Sequence, residues 1–119
     1  RGLRLAVCSN VPLPGILYRR LLVRHRLAEP IESFHFSYDE GSRKPSPAML
    51  RAALKALEVA PAQAVMVGDR RSTDVAAGRA AGTRTVWIRS EDGGGPQAEH
   101  TIRGIAELPA LLARVQSHR

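Results

Sequence analysis

Val-Met-Val-Gly-Asp-Arg-Arg-Ser-Thr-Asp, residues 65–74, is the stretch that decides the fold of this chain. A β-branched apolar run stops at Gly68, carboxylates follow at Asp69 and Asp74, and a segment of small residues comes next. This order predicts a strand, a tight turn and the start of a helix. In an open α/β sheet such a turn lies at the crevice outside the carboxyl ends of the strands, where ligands bind. Two carboxylates there suit a hard cation such as Mg²⁺, although Asp also commonly ends strands and caps helices.

Strand and helix patterns alternate outward from this turn along the whole chain. Predicted strands cover residues 3–8, 33–38, 64–68, 85–88 and 100–102, and predicted helices cover residues 16–27, 47–58, 73–81 and 105–115. Ser46 is the expected N-cap of the second helix, and Pro47 suits its first position. Residues 39–45 are expected to form a polar loop, and residues 90–97, with three successive glycines, a mobile loop. The alternation predicts a parallel sheet covered by helices.

Composition and charge exclude several classes of protein. The hydrophobic fraction of 44% is typical of a globular chain, not of a disordered one. No apolar run approaches the roughly 20 residues of a membrane span. The charge of +7 is spread along the chain without a basic run or interleaved aromatic residues, so we expect no nucleic-acid binding. Cys8 is the only cysteine, which excludes an intrachain disulfide and favours a reducing cytoplasm.

Three segments together resemble the haloacid dehalogenase (HAD) superfamily. They are residues 5–10, which end in Ser9-Asn10, residues 37–47 around Lys44, and residues 67–82, which contain both acids of the central turn. They match the second, third and fourth motifs of that superfamily in order and spacing. The resemblance implies a three-layer α/β/α Rossmann-like parallel sheet. It also implies Mg²⁺-dependent hydrolysis of a small phosphorylated metabolite through an aspartyl-phosphate.

The resemblance assigns a role to each matched residue. Ser9 would bind the transferring phosphoryl group through its hydroxyl, with the backbone amide of Asn10 beside it. Lys44 would neutralise the phosphate. Asp69 and Asp74 would be the metal-site acids, Asp74 either supporting the metal or orienting Lys44. From the residues alone, plainer interpretations stay open, since Ser and Asn often satisfy local backbone groups and a single Lys is usually solvated.

The sequence also departs from the superfamily pattern. Thr73 stands where Asn is frequent, and Arg70 where a small polar residue is frequent. Arg70 or Arg71 could meet an anionic substrate or simply lie exposed at the surface. The acids are intact, so the metal-free dehalogenase branch is disfavoured.

Nothing in the chain matches the first motif, Asp-x-Asp-x-Thr, which supplies the nucleophile. We therefore expect residues 1–119 to be a single, partial core domain, incomplete because the first strand is missing, with the nucleophile and any cap domain upstream. Two apolar strand edges would then be unpaired and could support self-association. A second hypothesis is a non-catalytic binding or regulatory module that lacks the nucleophile. A strand bearing Asp-x-Asp ahead of Arg1 would favour the enzyme.

Overall fold

A computed structural model describes residues 3–117, so the first and last two residues of the predicted domain lie outside the described part. The strands in this part are β1 (Leu5–Ser9), β2 (Ile31–Phe36), β3 (Val65–Gly68), β4 (Arg84–Ile88) and β5 (His100–Ile102). The α-helices are α1 (Gly15–Arg24), α2 (Ser37–Glu40), α3 (Ala48–Leu57), α4 (Ala76–Ala81) and α5 (Leu108–Ser117). Alternation of strands and helices is therefore confirmed.

The strands form two parallel sheets, one of β1 and β2 and the other in the order β3-β4-β5. Both sheets lie under one helical layer, because Cys8 of β1 and Met66 of β3 pack on the same cluster, formed by Leu50 of α3 with Ala77 and Ala81 of α4. β1 and β3 are thus the inner strands, yet they do not pair with each other. Each has one edge without a strand partner among the described residues.

A second helical layer covers the opposite face of the sheets. Side chains alternate along a strand, so Val67 points away from the α4 side occupied by Met66 and packs in a cluster with Leu111 of α5. In the first sheet, Phe36 stacks on Tyr18 of α1 with ring centroids 5.7 Å apart. Helices on both faces of parallel strands make the three-layer α/β/α architecture, and the predicted fold class is confirmed.

Several local predictions were wrong. The strand expected over residues 33–38 is Ile31–Phe36, because Ser37 and Tyr38 belong to α2. Residues 39–45 do not form a loop throughout, because α2 extends to Glu40 and ends at Gly41, whose φ of 73° favours glycine. The helix expected from residue 73 begins as a π-helical turn, Arg71–Val75, before α4. In this turn the Arg70 carbonyl accepts hydrogen bonds from the backbone amides of both Asp74 and Val75. Single π turns of this kind are frequent at functional sites.

The helix that follows the Lys44 loop begins one residue later than predicted, at Ala48, with Pro47 instead of Ser46 as its N-cap. The Ser46 hydroxyl accepts a hydrogen bond from the backbone amide of Ala48 at 3.3 Å, so Ser46 satisfies a donor of the first turn. Across residues 3–117, the helices are all too short or too polar to cross a bilayer.

Candidate functional site

Lys44 lies where the two sheets approach each other and is only 8% exposed. Its Nζ donates a hydrogen bond to the Cys8 carbonyl near the end of β1 at 2.9 Å and contacts Asp74 Oδ1 at 2.5 Å. Because Cys8 belongs to the first sheet and Asp74 follows β3, one ammonium group joins both sheets. A buried charge requires such partners. Lys44 is therefore a paired, buried cation and not a solvated surface lysine.

Asn10 fixes the backbone of Lys44. Its Nδ2 donates to the Lys44 carbonyl at 2.9 Å, and its Oδ1 accepts from the Lys44 amide at 2.9 Å. One side-chain amide thus satisfies both backbone groups of the residue that carries the central charge. The sequence assigned Asn10 only a backbone contact with phosphate, so this side-chain role was missed.

Asp74 is held on both oxygens by groups of the protein. Oδ1 contacts Lys44, and Oδ2 accepts a hydrogen bond from the Arg70 amide at 3.2 Å. Gly68 leaves room for this carboxylate, since a Cβ at that position would overlap it. Asp74 is 6% exposed. The arrangement is the one expected if Asp74 orients Lys44, and its direct ligation of a metal stays a prediction.

Asp69 and Ser9 have polar side chains available to a ligand. Asp69 is exposed just past the end of β3, and Ser9, which ends β1, is half-buried. Neither side chain makes a hydrogen bond or ion pair with another residue in the described range 3–117. The structure thus places a hydroxyl, a buried ammonium and an unpaired carboxylate at the same end of the parallel strands.

The donor set near Asp69 fits Mg²⁺ chemically, though sparsely. Mg²⁺ prefers oxygen ligands and usually takes one or two carboxylates together with water and substrate phosphate oxygens. Asp69 offers one unpaired carboxylate, and the nearby Asp74 is engaged by protein donors. Within residues 3–117, the His, Cys, Asp and Glu side chains form no group of three that could hold a metal ion. Full coordination would therefore need ligands beyond these side chains.

Arg71, Trp87 and Asp92 form a cluster that the sequence did not reveal. Asp92 accepts hydrogen bonds from the Arg71 amide at 2.8 Å, from its Nε at 3.1 Å and from its Nη2 at 2.9 Å. These bonds hold the pKa of the Asp92 carboxyl well below its usual range. The Arg71 guanidinium also lies 4.0 Å from the centre of the Trp87 ring. The Arg71 guanidinium is thus engaged by Asp92 and Trp87 and is not a simple exposed arginine.

The loop predicted to be mobile is tied to the central turn by this cluster. Gly94 also donates its amide to Asp92, at 2.9 Å, and Ser90 Oγ donates to the Asp69 carbonyl at 2.5 Å. No signal in the sequence links residues 90–97 to Arg71, because the contact depends on how the chain returns after β4. Residues 90–97 and Arg71 meet only in the folded protein.

Cys8 lies beside Lys44 but is not a reactive thiol. Burial raises its pKa to about 11, and the nearby Lys44 charge offsets only part of that effect. The thiolate is the nucleophilic form of cysteine, and this environment suppresses it. Cys8 contributes its backbone carbonyl to the site.

Comparison with known proteins identifies the family. Residues 41–113 match a family described as HAD-hydrolase-like. The phosphoserine phosphatase of Thermus thermophilus is 42% identical over 107 residues, which cover 87% of this chain and 41% of that protein. The phosphoglycolate phosphatase of Rhodospirillum rubrum is 46% identical over 86 residues, which cover 72% of this chain and 34% of that protein.

Solved structures agree with these sequence relatives. A HAD phosphatase from Thermococcus onnurineus superposes with a TM-score of 0.82 and 31% identity, over 93% of this chain and 51% of that one. The chain therefore spans about half or less of the length of the curated relatives it matches. The family match spans Lys44 and both acids of the central turn. The chain belongs to the haloacid dehalogenase (HAD) superfamily.

Proposed function

We propose that this chain carries the phosphate-binding and metal-binding part of a Mg²⁺-dependent phosphatase that acts on a small phosphorylated metabolite. The observation that supports it most directly is Lys44, a buried ammonium held by Asp74 and the Cys8 carbonyl. Ser9 and Asp69 present unpaired polar groups at the same end of the strands. A phosphate needs such preorganised donors and positive charge around its oxygens.

Each residue has a chemical task in the proposed reaction. The Ser9 hydroxyl donates a hydrogen bond to an oxygen of the phosphoryl group, and Lys44 stabilises negative charge on that group as it is transferred. Asn10 and Asp74 keep Lys44 in place through the contacts described above. Asp69 would hold Mg²⁺, which supplies charge neutralisation at the phosphate oxygens when bound. These residues bind and orient, but none of them is a nucleophile for phosphoryl transfer in this scheme.

The nucleophilic carboxylate is proposed to come from a strand outside residues 1–119. The facing edges of β1 and β3 support this, because both lack a strand partner among the described residues and both run toward Lys44. A strand pairing with both edges would end near that ammonium, where an aspartyl-phosphate could form and be hydrolysed. Any cap domain that selects the substrate would also lie outside this chain. In the absence of such a strand, the same edges would favour self-association.

The cellular setting is proposed from composition. One cysteine, half-buried and with a raised pKa, suits a reducing cytoplasm. The dispersed charge gives no reason to expect a nucleic-acid partner.

Phosphate release from phosphoserine, phosphoglycolate and glyceraldehyde 3-phosphate would test the function, since relatives act on these compounds by name. The protein should be the polypeptide as its source cells make it. We expect turnover that depends on Mg²⁺, and Asp69→Asn should lower it by about a thousandfold by removing charge at the metal. Glu99→Gln, a carboxylate change in an exposed ion pair with Arg84, is the control and should have little effect.

Two results would contradict the proposal. Full Mg²⁺-dependent activity of Asp69→Asn would remove Asp69 from the metal site. Turnover by residues 1–119 alone would show that no external nucleophile is needed. A native polypeptide without an Asp-x-Asp strand and without phosphatase activity would instead support the binding or regulatory module.

A further inference from the structure

Side chains from the end of β4 and from the loop that follows it bind the backbone of Asp69. Its carbonyl accepts hydrogen bonds from Trp87 Nε1 at 3.1 Å and from Ser90 Oγ at 2.5 Å. Both donors lie far from Asp69 in sequence. These bonds fix the backbone of Asp69, while its carboxylate stays without a partner in the described part of the chain.

The next residues of the turn are held by the same segment. Asp92 receives three hydrogen bonds from Arg71, and its side chain is only 1% exposed. Gly95 packs closely on the turn, because a Cβ there would lie 2.6 Å from the Ser72 amide nitrogen and 2.7 Å from the Arg71 carbonyl carbon. Glycine is therefore required for this approach. We call residues 87–95 the strap.

Arg71 contacts two separate residues of the strap, Trp87 and Asp92. Its guanidinium bonds to Asp92 and stacks on the ring of Trp87, whose indole nitrogen donates to Asp69. The contacts thus close a ring from the Asp69 carbonyl through Trp87, Arg71 and Asp92 back to the turn. A bidentate guanidinium contact sets geometry more strictly than a flexible ammonium would.

We propose that the strap is a positioning device for the cation site, in which Arg71, Asp92 and Ser90 fix the backbone of the turn that carries the Asp69 carboxylate for Mg²⁺. These residues act through Asp69 and touch neither the metal nor the substrate. Residues that orient metal ligands in this way commonly change metal affinity about 10–100-fold when they are altered. The inference rests on the proposed role of Asp69 as a metal ligand.

Arg71→Met separates positioning from simple electrostatics. Removing a cation near a metal site should strengthen Mg²⁺ binding if only charge matters, because the local field becomes more negative. Loss of the strap contacts should instead weaken Mg²⁺ binding, because the backbone of the turn at Asp69 is then no longer held in place. We expect the affinity for Mg²⁺ alone, measured by isothermal titration calorimetry, to fall about tenfold. Hydrogen exchange of the backbone amides of residues 70–72 should speed up in the same variant.

Two milder variants keep the test decisive if Arg71→Met does not fold. Arg71→Lys retains the charge but loses the planar fork, and Ser90→Ala removes one donor to the Asp69 carbonyl. Both should weaken Mg²⁺ binding by severalfold with little loss of thermal stability. Glu99→Gln should change neither quantity, since its carboxylate pairs only with Arg84 in an exposed ion pair.

The outcomes distinguish this inference from the proposed function. If Asp69→Asn binds Mg²⁺ as the unaltered protein does, Asp69 is not the ligand and the metal site itself is wrong. If Asp69→Asn abolishes binding while Arg71→Met tightens it or leaves it unchanged, and Ser90→Ala has no effect, the strap does not position Asp69. The proposal is supported if Asp69→Asn abolishes Mg²⁺ binding and if Ser90→Ala and the Arg71 variants each weaken it.

Discussion

Changing Asp74 to Asn tests whether the Lys44 pair holds the two sheets together. The Lys44 ammonium, 8% exposed, would keep the Cys8 carbonyl and lose its carboxylate partner. Removing one member of a buried ion pair costs about 3–5 kcal/mol. The Asn side chain still offers an oxygen, so we expect the lower end, about 3 kcal/mol. For a domain of this size that corresponds to a fall in Tm of about 10 °C.

Urea denaturation followed by circular dichroism measures this cost from the shift in midpoint at constant m value. The double variant Lys44→Met, Asp74→Asn should lose less than the sum of the two single variants, because no unpaired ammonium stays buried. The matched control is Glu107→Gln, since Arg103 and Glu107 form an exposed pair at 3.4 Å between residues four apart in sequence. Such a pair is worth about 0.5 kcal/mol or less.

The result that would refute this reasoning is a loss below about 1 kcal/mol for Asp74→Asn. The pair would then contribute no more to the free energy of unfolding than one ordinary hydrogen bond does. Strictly additive costs in the double variant would equally show that Lys44 and Asp74 are not coupled.

Three further predictions concern the surroundings of this pair. Gly68→Ala should destabilise the protein by about 1–3 kcal/mol through overlap with Asp74, measured by urea denaturation, and an unchanged midpoint would contradict the packing described. Asn10→Ala removes two hydrogen bonds to the Lys44 backbone and should cost about 1–3 kcal/mol, with lower turnover but unchanged Mg²⁺ affinity. Cys8 should react with iodoacetamide at pH 8 about a hundredfold more slowly than a free thiol with the ordinary pKa of 9.0, because burial raises its pKa to about 11. The folded state holds that proton more tightly than the unfolded state, so this contribution to stability is present below pH 9 and is lost toward pH 11, an extra loss that Cys8→Ala should not show.

The order of strands and helices could be predicted because each element carries its own periodicity. The strand ending at Gly68 and the helix after Ser46 are local patterns that need no information from the rest of the chain. The ends of elements were less predictable. The π-helical turn, Arg71–Val75, replaces the first turn of the expected helix, and this change coincides with the side chain of Asp74 folding back onto the Arg70 amide.

Site residues that depend on chemical type were predictable, and those that depend on the path of the chain were not. Ser9, Lys44 and Asp69 follow from motif order and residue chemistry, and the structure brings them to one end of the strands. The predicted metal role of Asp69 and phosphate role of Ser9 stay predictions. The side-chain role of Asn10 was missed because a hydrogen bond to a backbone 34 residues away leaves no local pattern.

The sequence by itself determined the fold class, the family and the chemical types at the site, because periodicity and motif spacing are encoded locally along the chain. Only the tertiary structure decided which partners those groups have. It buried Lys44 between two sheets, paired Lys44 with Oδ1 of Asp74, and returned residues 90–97 onto Arg71. The physical reason is that charge pairing and burial depend on distances between residues remote in sequence, and those distances exist only once the helices have packed on the strands.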